Sequence, residues 1–316
     1  MTPDDPVRRR LLAAGTLPAL GLAAGCATPA SPPPLPPPQV PAGRVERLPA
    51  LASRHVAPRP VDVWLPQGYD GTRPHAVLYM HDGQMLFDAR NSWNKQSWEV
   101  APTVQRLIDA GMLRDTIVVG VWNTGESRFA EYFPQGFIEH VPEGPARQVL
   151  LARGFASRPP MADAYLRFLV GELKPAIDAR YRTRAGREHT AVAGSSMGGL
   201  ISLYALCEHP QVFGGAGCLS THWIGGFERN AEIPAAALAY LRRRLPAPGG
   251  HRIYMDRGTT ELDALYDESQ PRVDALMRER GFGPPLFVTR VFEGEGHNER
   301  AWARRLEIPL RHLLGT

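Results

Sequence analysis

The chain has almost nothing with which to hold a metal, a bound phosphate or a framework of disulfides. Three cysteines in 316 residues are too few for a disulfide scaffold. No group of His, Cys, Asp and Glu stands at metal-ligand spacing, and no strand-helix junction carries a glycine-rich phosphate loop. Charge is close to balance and dispersed, with 36 basic against 32 acidic residues, which excludes a nucleic-acid binder built on a basic face. The apolar run that follows Arg8-Arg9-Arg10 is too short, and too broken by Gly and Pro, to span a membrane. What is present is core-forming material. A 43% hydrophobic content with no obvious dividing point favours one domain of about 270 residues.

The N-terminus reads as an address rather than as fold. A basic cluster, a short apolar stretch and Ala23-Ala24-Gly25-Cys26 make an export signal over residues 1–25 with a twin-arginine flavour. They leave Cys26 as a lipidation site in a box where Ala23 replaces the usual Leu. Residues 26–44 form a proline-rich linker whose run from Pro29 to Pro41 is expected to be a stiff polyproline spacer. The expected location is periplasmic or cell-envelope, with a lipid anchor in the membrane. Cys207 and Cys218 fall on a helix and the next strand, about 15 Å apart at 1.5 Å per helical residue; both are expected in the core, beyond disulfide reach.

From residue 45 to 316 the pattern is that of an α/β domain. Val45 to Pro66 reads as two extended segments able to pair at a sheet edge. Buried strands are expected at 75–80, 116–121, 189–193, 215–219, 252–255 and 286–292. Helices are expected at 98–111, 161–181, 234–245, 272–281 and 299–314. This alternation implies a mostly parallel central sheet with helices on both faces. Thr124 to Pro160 is long, irregular and rich in Gly, Pro and aromatics, as lids and binding loops are.

The chemistry is concentrated where Thr190 to His209 passes from a β-branched run through a Gly/Ser knot into a helical pattern. Gly194-Ser195-Ser196-Met197-Gly198 fits GxSxG, the strained strand-turn-helix that thrusts a serine hydroxyl above the sheet of an α/β-hydrolase. Gly194 and Gly198 stand where a Cβ would collide with neighbouring backbone. Ser196 is the candidate nucleophile, and the Met197 N–H, unpaired at a helix start, is half of an oxyanion hole. A serine needs a base to take its proton. His297, in the glycine-rich loop after the last strand, is the histidine so placed; His75 and His189, at strand starts, belong to the far end of the sheet. The acid must lie between residues 196 and 297, where Asp256, Glu261 and Asp263 compete. Asp263 is preferred, with Glu261 as the alternative. Gln84 or Met85, after the strand that ends at His81-Asp82, is the candidate second oxyanion donor; His81 and Asp82 are read as structural. Arg128, Glu131 and Trp223 are candidate substrate-binding residues.

With these residues in view the chain resembles the esterase family of α/β-hydrolases that includes enterochelin esterases, esterase D, and feruloyl and acetyl xylan esterases. The resemblance runs from about Tyr79 to the C-terminus through MHDGQMLFD, VVGVWNTGESRFAEY, AVAGSSMGGLISLYA, MDRGTTELDALY and EGHNERAW. It implies Ser196 and His297 as nucleophile and base. The acid is the point of departure, since several relatives have Asp at the Glu261 position and others have it two residues later. The expected function is a serine esterase acting through an acyl-enzyme on sugar or phenolic-acid esters, without cofactor or metal. Siderophore lactone hydrolysis, acyl transfer to a sugar, and a non-catalytic binding lipoprotein are the alternatives.

Overall fold

The computed structural model describes residues 36–155 and 158–316; the export signal, Cys26 and most of the proline run lie outside them. Eight strands form one sheet in the order β1-β2-β4-β3-β5-β6-β7-β8. They are β1 (Arg44–Leu48), β2 (Val61–Leu65), β3 (Ala76–His81), β4 (Thr116–Val121), β5 (Thr190–Ser195), β6 (Gly215–Leu219), β7 (Arg252–Arg257) and β8 (Phe287–Val291). The β1–β2 and β2–β4 pairs are antiparallel and every other pair is parallel. The expected edge hairpin is therefore real, with Leu48 opposite Val61.

The near-continuous apolar strands follow from burial on both faces. In β3, Val77 and Tyr79 enter one core while Ala76, Leu78 and Met80 enter the other. The strand period of two thus feeds two hydrophobic layers from one unbroken run. The first layer takes the helix Met197–Glu208, which is buried at every residue but the last, as a helix apolar all round must be. The second takes the helix Val100–Asp109 and the C-terminal helices.

The structure corrects three expectations. The single helix expected over 299–314 is two, Glu299–Arg305 and Glu307–Leu314. Pro309 explains the break, because its ring opposes the carbonyl four residues back, at Arg305. The segment 124–160 is no open lid, since Tyr132, Phe133 and Phe137 are core residues and Phe129 stacks on Phe133 at 5.4 Å. The end of the proline run is no free spacer either. Pro38 is buried, the Gln39 N–H donates to Asp88 at 3.1 Å, and Trp64 Nε1 donates to the Ala42 carbonyl at 2.9 Å. Cys207 and Cys218 are free and buried in one layer. Burial raises the thiols of both.

Candidate active site

The parallel strands end at one pole, and the chain turns there from β5 into the helix Met197–Glu208. Ser196 has φ 57 and ψ −122 between β5 and the helix Met197–Glu208, a conformation that L-residues adopt only when surroundings impose it. The surroundings are explicit. Its N–H donates to the Leu219 carbonyl at 2.9 Å, and its own carbonyl accepts from Gly199, Leu200 and His222 at 3.0, 3.2 and 3.2 Å. A Cβ on Gly194 would stand 2.8 Å from the Gly198 backbone, so glycine is required at 194. At Gly198 the nearest contact would be 3.4 Å, an ordinary one, so the expected collision holds at the first glycine only. Met197 opens the helix, where an N–H lacks an intrahelical acceptor.

His297 follows β8, just before Asn298, whose side chain caps the helix Glu299–Arg305 through the Ala301 N–H at 3.0 Å. Its Nδ1 lies 2.6 Å from Asp263 Oδ1. Trp302 and Tyr266 pack edge-on against the ring, with centroids at 5.1 and 6.0 Å. Asp263 is fully buried. Burial alone would raise its pKa, but the hydrogen bond and charge of His297, then Ser220 and the Gly258 N–H, hold it below the usual carboxylate value. An ionised carboxylate only accepts, so Nδ1 carries the imidazole proton and Nε2 is left free to take one. Among the described residues no hydrogen bond joins Ser196 Oγ to that imidazole; such bonds commonly tighten when substrate binds.

The three acids separate by role. Asp263 faces the ring of His297. Glu261, itself at φ 55, accepts the His297 backbone N–H at 2.7 Å and the Asn298 side chain at 3.2 Å. Asp256 is buried against Arg305 at 3.0 Å, and burial pushes it up to about 6 despite that cation. Of the two candidate oxyanion donors, the Met85 N–H is committed to the Asp82 carbonyl at 2.8 Å. Gln84 thus remains, in the turn Gly83–Met85, its side chain accepting from the Asn123 N–H at 3.2 Å.

Two binding candidates are elsewhere. Glu131 is fully buried in a two-pronged pair with Arg59, both contacts 2.7 Å, and cannot reach a substrate. Trp223 is a core residue donating to Gln270 at 2.8 Å. Arg128 does stand at the site. It clamps Asp82 through two 2.7 Å bonds, and its charge helps to lower the pKa of His222. Asp82 also accepts from Asn123 at 2.7 Å, and His81 is buried with Nδ1 2.9 Å from the Tyr165 hydroxyl.

Sequence reasoning missed a buried bracket behind the acid. Ser220, at φ 44, donates to Asp263 Oδ2 at 2.6 Å and accepts from Trp302 Nε1 at 2.9 Å and Arg305 Nη2 at 2.8 Å. Trp302 and Arg305 are three apart on one helix face, which is the trace the sequence carries of this arrangement. His222 and Tyr266 were missed as well; Nδ1 of the first lies 2.7 Å from the hydroxyl of the second.

A family model described as "Putative esterase" matches residues 54–307. The chain is 22% identical over 274 residues to the uncharacterized protein YbbA of Bacillus subtilis (strain 168), covering 84% of this chain and 96% of that one. Among solved structures it resembles an IroE-like serine hydrolase from Shewanella oneidensis, with TM-score 0.64, 21% identity, and coverage of 86% of this chain and 79% of that one. A ferulic acid esterase gives TM-score 0.61 at 20% identity, covering 86% and 97%. The enterobactin esterase of Shigella flexneri gives 0.63 at 21%, covering 89% and 62%. These likenesses establish the α/β-hydrolase fold.

Proposed function

The chain belongs to the esterase family, and from that premise we propose that it is a serine esterase working through an acyl-enzyme. Ser196 Oγ attacks the ester carbonyl while His297 Nε2 takes its proton. Asp263 stabilises the imidazolium that forms, and the Met197 and Gln84 N–H groups receive the oxyanion. His297 then returns the proton to the departing alcohol. Water, activated by the same imidazole, releases the acid and restores Ser196. The observation that carries this reading is the 2.6 Å contact from His297 Nδ1 to a buried, ionised Asp263.

The substrate reading is an ester of a sugar or a phenolic acid. Two large aromatics stand exposed, Trp93 at 83% and Phe227 at 85%. Phe227 lies 6.4 Å from the His222 ring, and the residue after Trp93, Asn94, bonds Glu299 close to His297. A solvent-facing ring beside His222 suits a flat or ring-bearing ligand, and Trp93 is offered as a second such ring. The enterobactin esterase among the structural relatives favours a second reading, an aryl-bearing siderophore lactone. Attachment to the cell envelope through Cys26 belongs to the same proposal and rests on the sequence.

The test is Ser196→Ala on p-nitrophenyl acetate, with feruloyl esters, acetylated sugars and enterobactin as a substrate panel. Turnover should fall about 10³-fold or more with the fold retained. Wild-type turnover in that variant would remove Ser196 from the mechanism.

A further inference from the structure

We propose that Ser220 is a positioning residue for the acid: its hydroxyl proton has one place to go, Asp263 Oδ2, and by holding that oxygen it turns Oδ1 onto the His297 ring. The inference rests on the reading of Ser196, His297 and Asp263 as a triad and adds to it a group that touches no substrate.

The direction of the hydroxyl follows from its partners. Ser220 is fully buried just past the end of β6. Its Oγ lies 2.9 Å from Trp302 Nε1, 2.8 Å from Arg305 Nη2 and 2.6 Å from Asp263 Oδ2. An indole N–H and a guanidinium donate and have no lone pair to offer, whereas a hydroxyl has one proton and two lone pairs. Trp302 and Arg305 therefore fill the lone pairs, and the proton falls to the carboxylate. No other rotation of the hydroxyl satisfies all three partners, and a polar group so deeply placed is costly unless bonded.

The carboxylate is fixed in turn. Oδ2 accepts from Ser220 and from the Gly258 N–H at 2.5 Å, which leaves Oδ1 to His297 Nδ1 at 2.6 Å. Arg305 does not take the place of the serine, since its Nη2 stands 3.9 Å from Oδ2. Asp256 holds that guanidinium where it is, through Nη2 at 3.0 Å and Nε at 3.2 Å. The backbone gives no reason for a serine here. Ser220 has φ 44, a conformation that glycine adopts without strain and that other residues keep only when their surroundings impose it. Its N–H donates to the Asp256 carbonyl at 2.8 Å, a bond that any residue but proline could make. What serine alone brings to the position is the hydroxyl.

The experiment uses the intact chain. Thermal melting checks folding, steady-state kinetics give kcat and KM separately, and the second-order rate of labelling by a fluorophosphonate reports Ser196 reactivity without an ester substrate. Ser220→Ala should lower kcat and the labelling rate about 10-fold, the loss expected for one hydrogen bond to a charged group, with KM within about twofold. Ser220→Gly should lose as much activity while melting no lower than Ser220→Ala, because glycine relieves the backbone and restores no hydroxyl. Adding Ser220→Ala to Asp263→Asn should cost no more than about twofold beyond Asp263→Asn alone, because the serine acts through that carboxylate. Wild-type kcat and labelling per folded molecule in either single variant of Ser220 would overturn the inference. So would an active Ser220→Gly beside an inactive Ser220→Ala, which would place the role in the backbone, and so would losses that multiply in the double variant. Failure of the wild-type chain to label, or wild-type turnover in Asp263→Asn, would instead remove the triad reading on which the inference stands.

Discussion

Glu261 holds His297 by its backbone and not by its ring: the Glu261 carboxylate accepts the His297 N–H at 2.7 Å, while the imidazole turns to Asp263. Two carboxylates two residues apart thus divide one task, the first fixing the loop and the second the ring. Gly296 makes the grip possible, since a Cβ there would stand 2.6 Å from the Glu261 carboxylate.

This division predicts unequal variants. Asp263→Asn removes the anion that stabilises the imidazolium and leaves the tautomer unfixed; turnover should fall about 10⁴-fold. Glu261→Gln retains a neutral acceptor for the backbone N–H and should stay within about threefold of wild type. Turnover of both on one nitrophenyl ester decides, and a crippled Glu261→Gln would reverse the assignment.

Glu131→Gln should destabilise the protein without touching its chemistry. The substitution leaves the Arg59 guanidinium, 1% exposed, buried without its counter-charge, a loss of about 3–5 kcal/mol. Urea titration measures that loss. KM per folded molecule should be unchanged, and a raised KM would return Glu131 to the binding surface.

Stability should fall between pH 6.5 and about 4. Burial holds His81 at about 4 and His222 at about 3, so over this range the unfolded chain binds protons that the native one refuses. Stability then rises with pH. Asp256, raised by burial to about 6, acts with the opposite sign, because the native state takes its proton first. Two histidines against one carboxylate leave a net loss on the order of 2 kcal/mol by pH 5. Denaturant midpoints across this range should show it, and His81→Asn should flatten the slope.

Trp93→Ala and Phe227→Ala should each raise KM about 3–10-fold on a feruloyl ester or a sugar ester. Neither should change KM on nitrophenyl acetate, which is too small to reach both rings. Equal effects on the two substrates would place the aromatics outside the binding surface.

How far the sequence can be read depends on the range of the interactions. The strands, the turn at Ser196 and the loop carrying His297 are written in local patterns, apolar runs and glycines, and their positions in the fold are legible. Partners distant in sequence are not. Glu131 reads as a surface residue because its counter-charge, Arg59, is 72 positions away, and Trp223 does so because its partner Gln270 comes from a later helix. Within the acid loop, the spacing predicts that Leu262 turns inward and leaves Asp263 free. Instead Asp263 is the buried residue and Leu262 is only half-buried, because the left-handed backbone at Glu261 redirects the next two side chains. The bracket of Ser220, Trp302 and Arg305 draws on two distant segments and announces itself in neither.

That bracket has a consequence for the chain as it leaves the ribosome. Ser196 and its turn can form once β6 has been made, but the acid is held through Ser220 by Trp302 and Arg305 on the helix Glu299–Arg305, 82 and 85 residues further along the chain. A nascent chain halted before Glu299 already holds Ser196, Asp263 and His297 but lacks the two side chains that brace Ser220 against the acid. The order of the acid thus waits on the docking of the helix Glu299–Arg305, and the proposed triad is assembled only after that step.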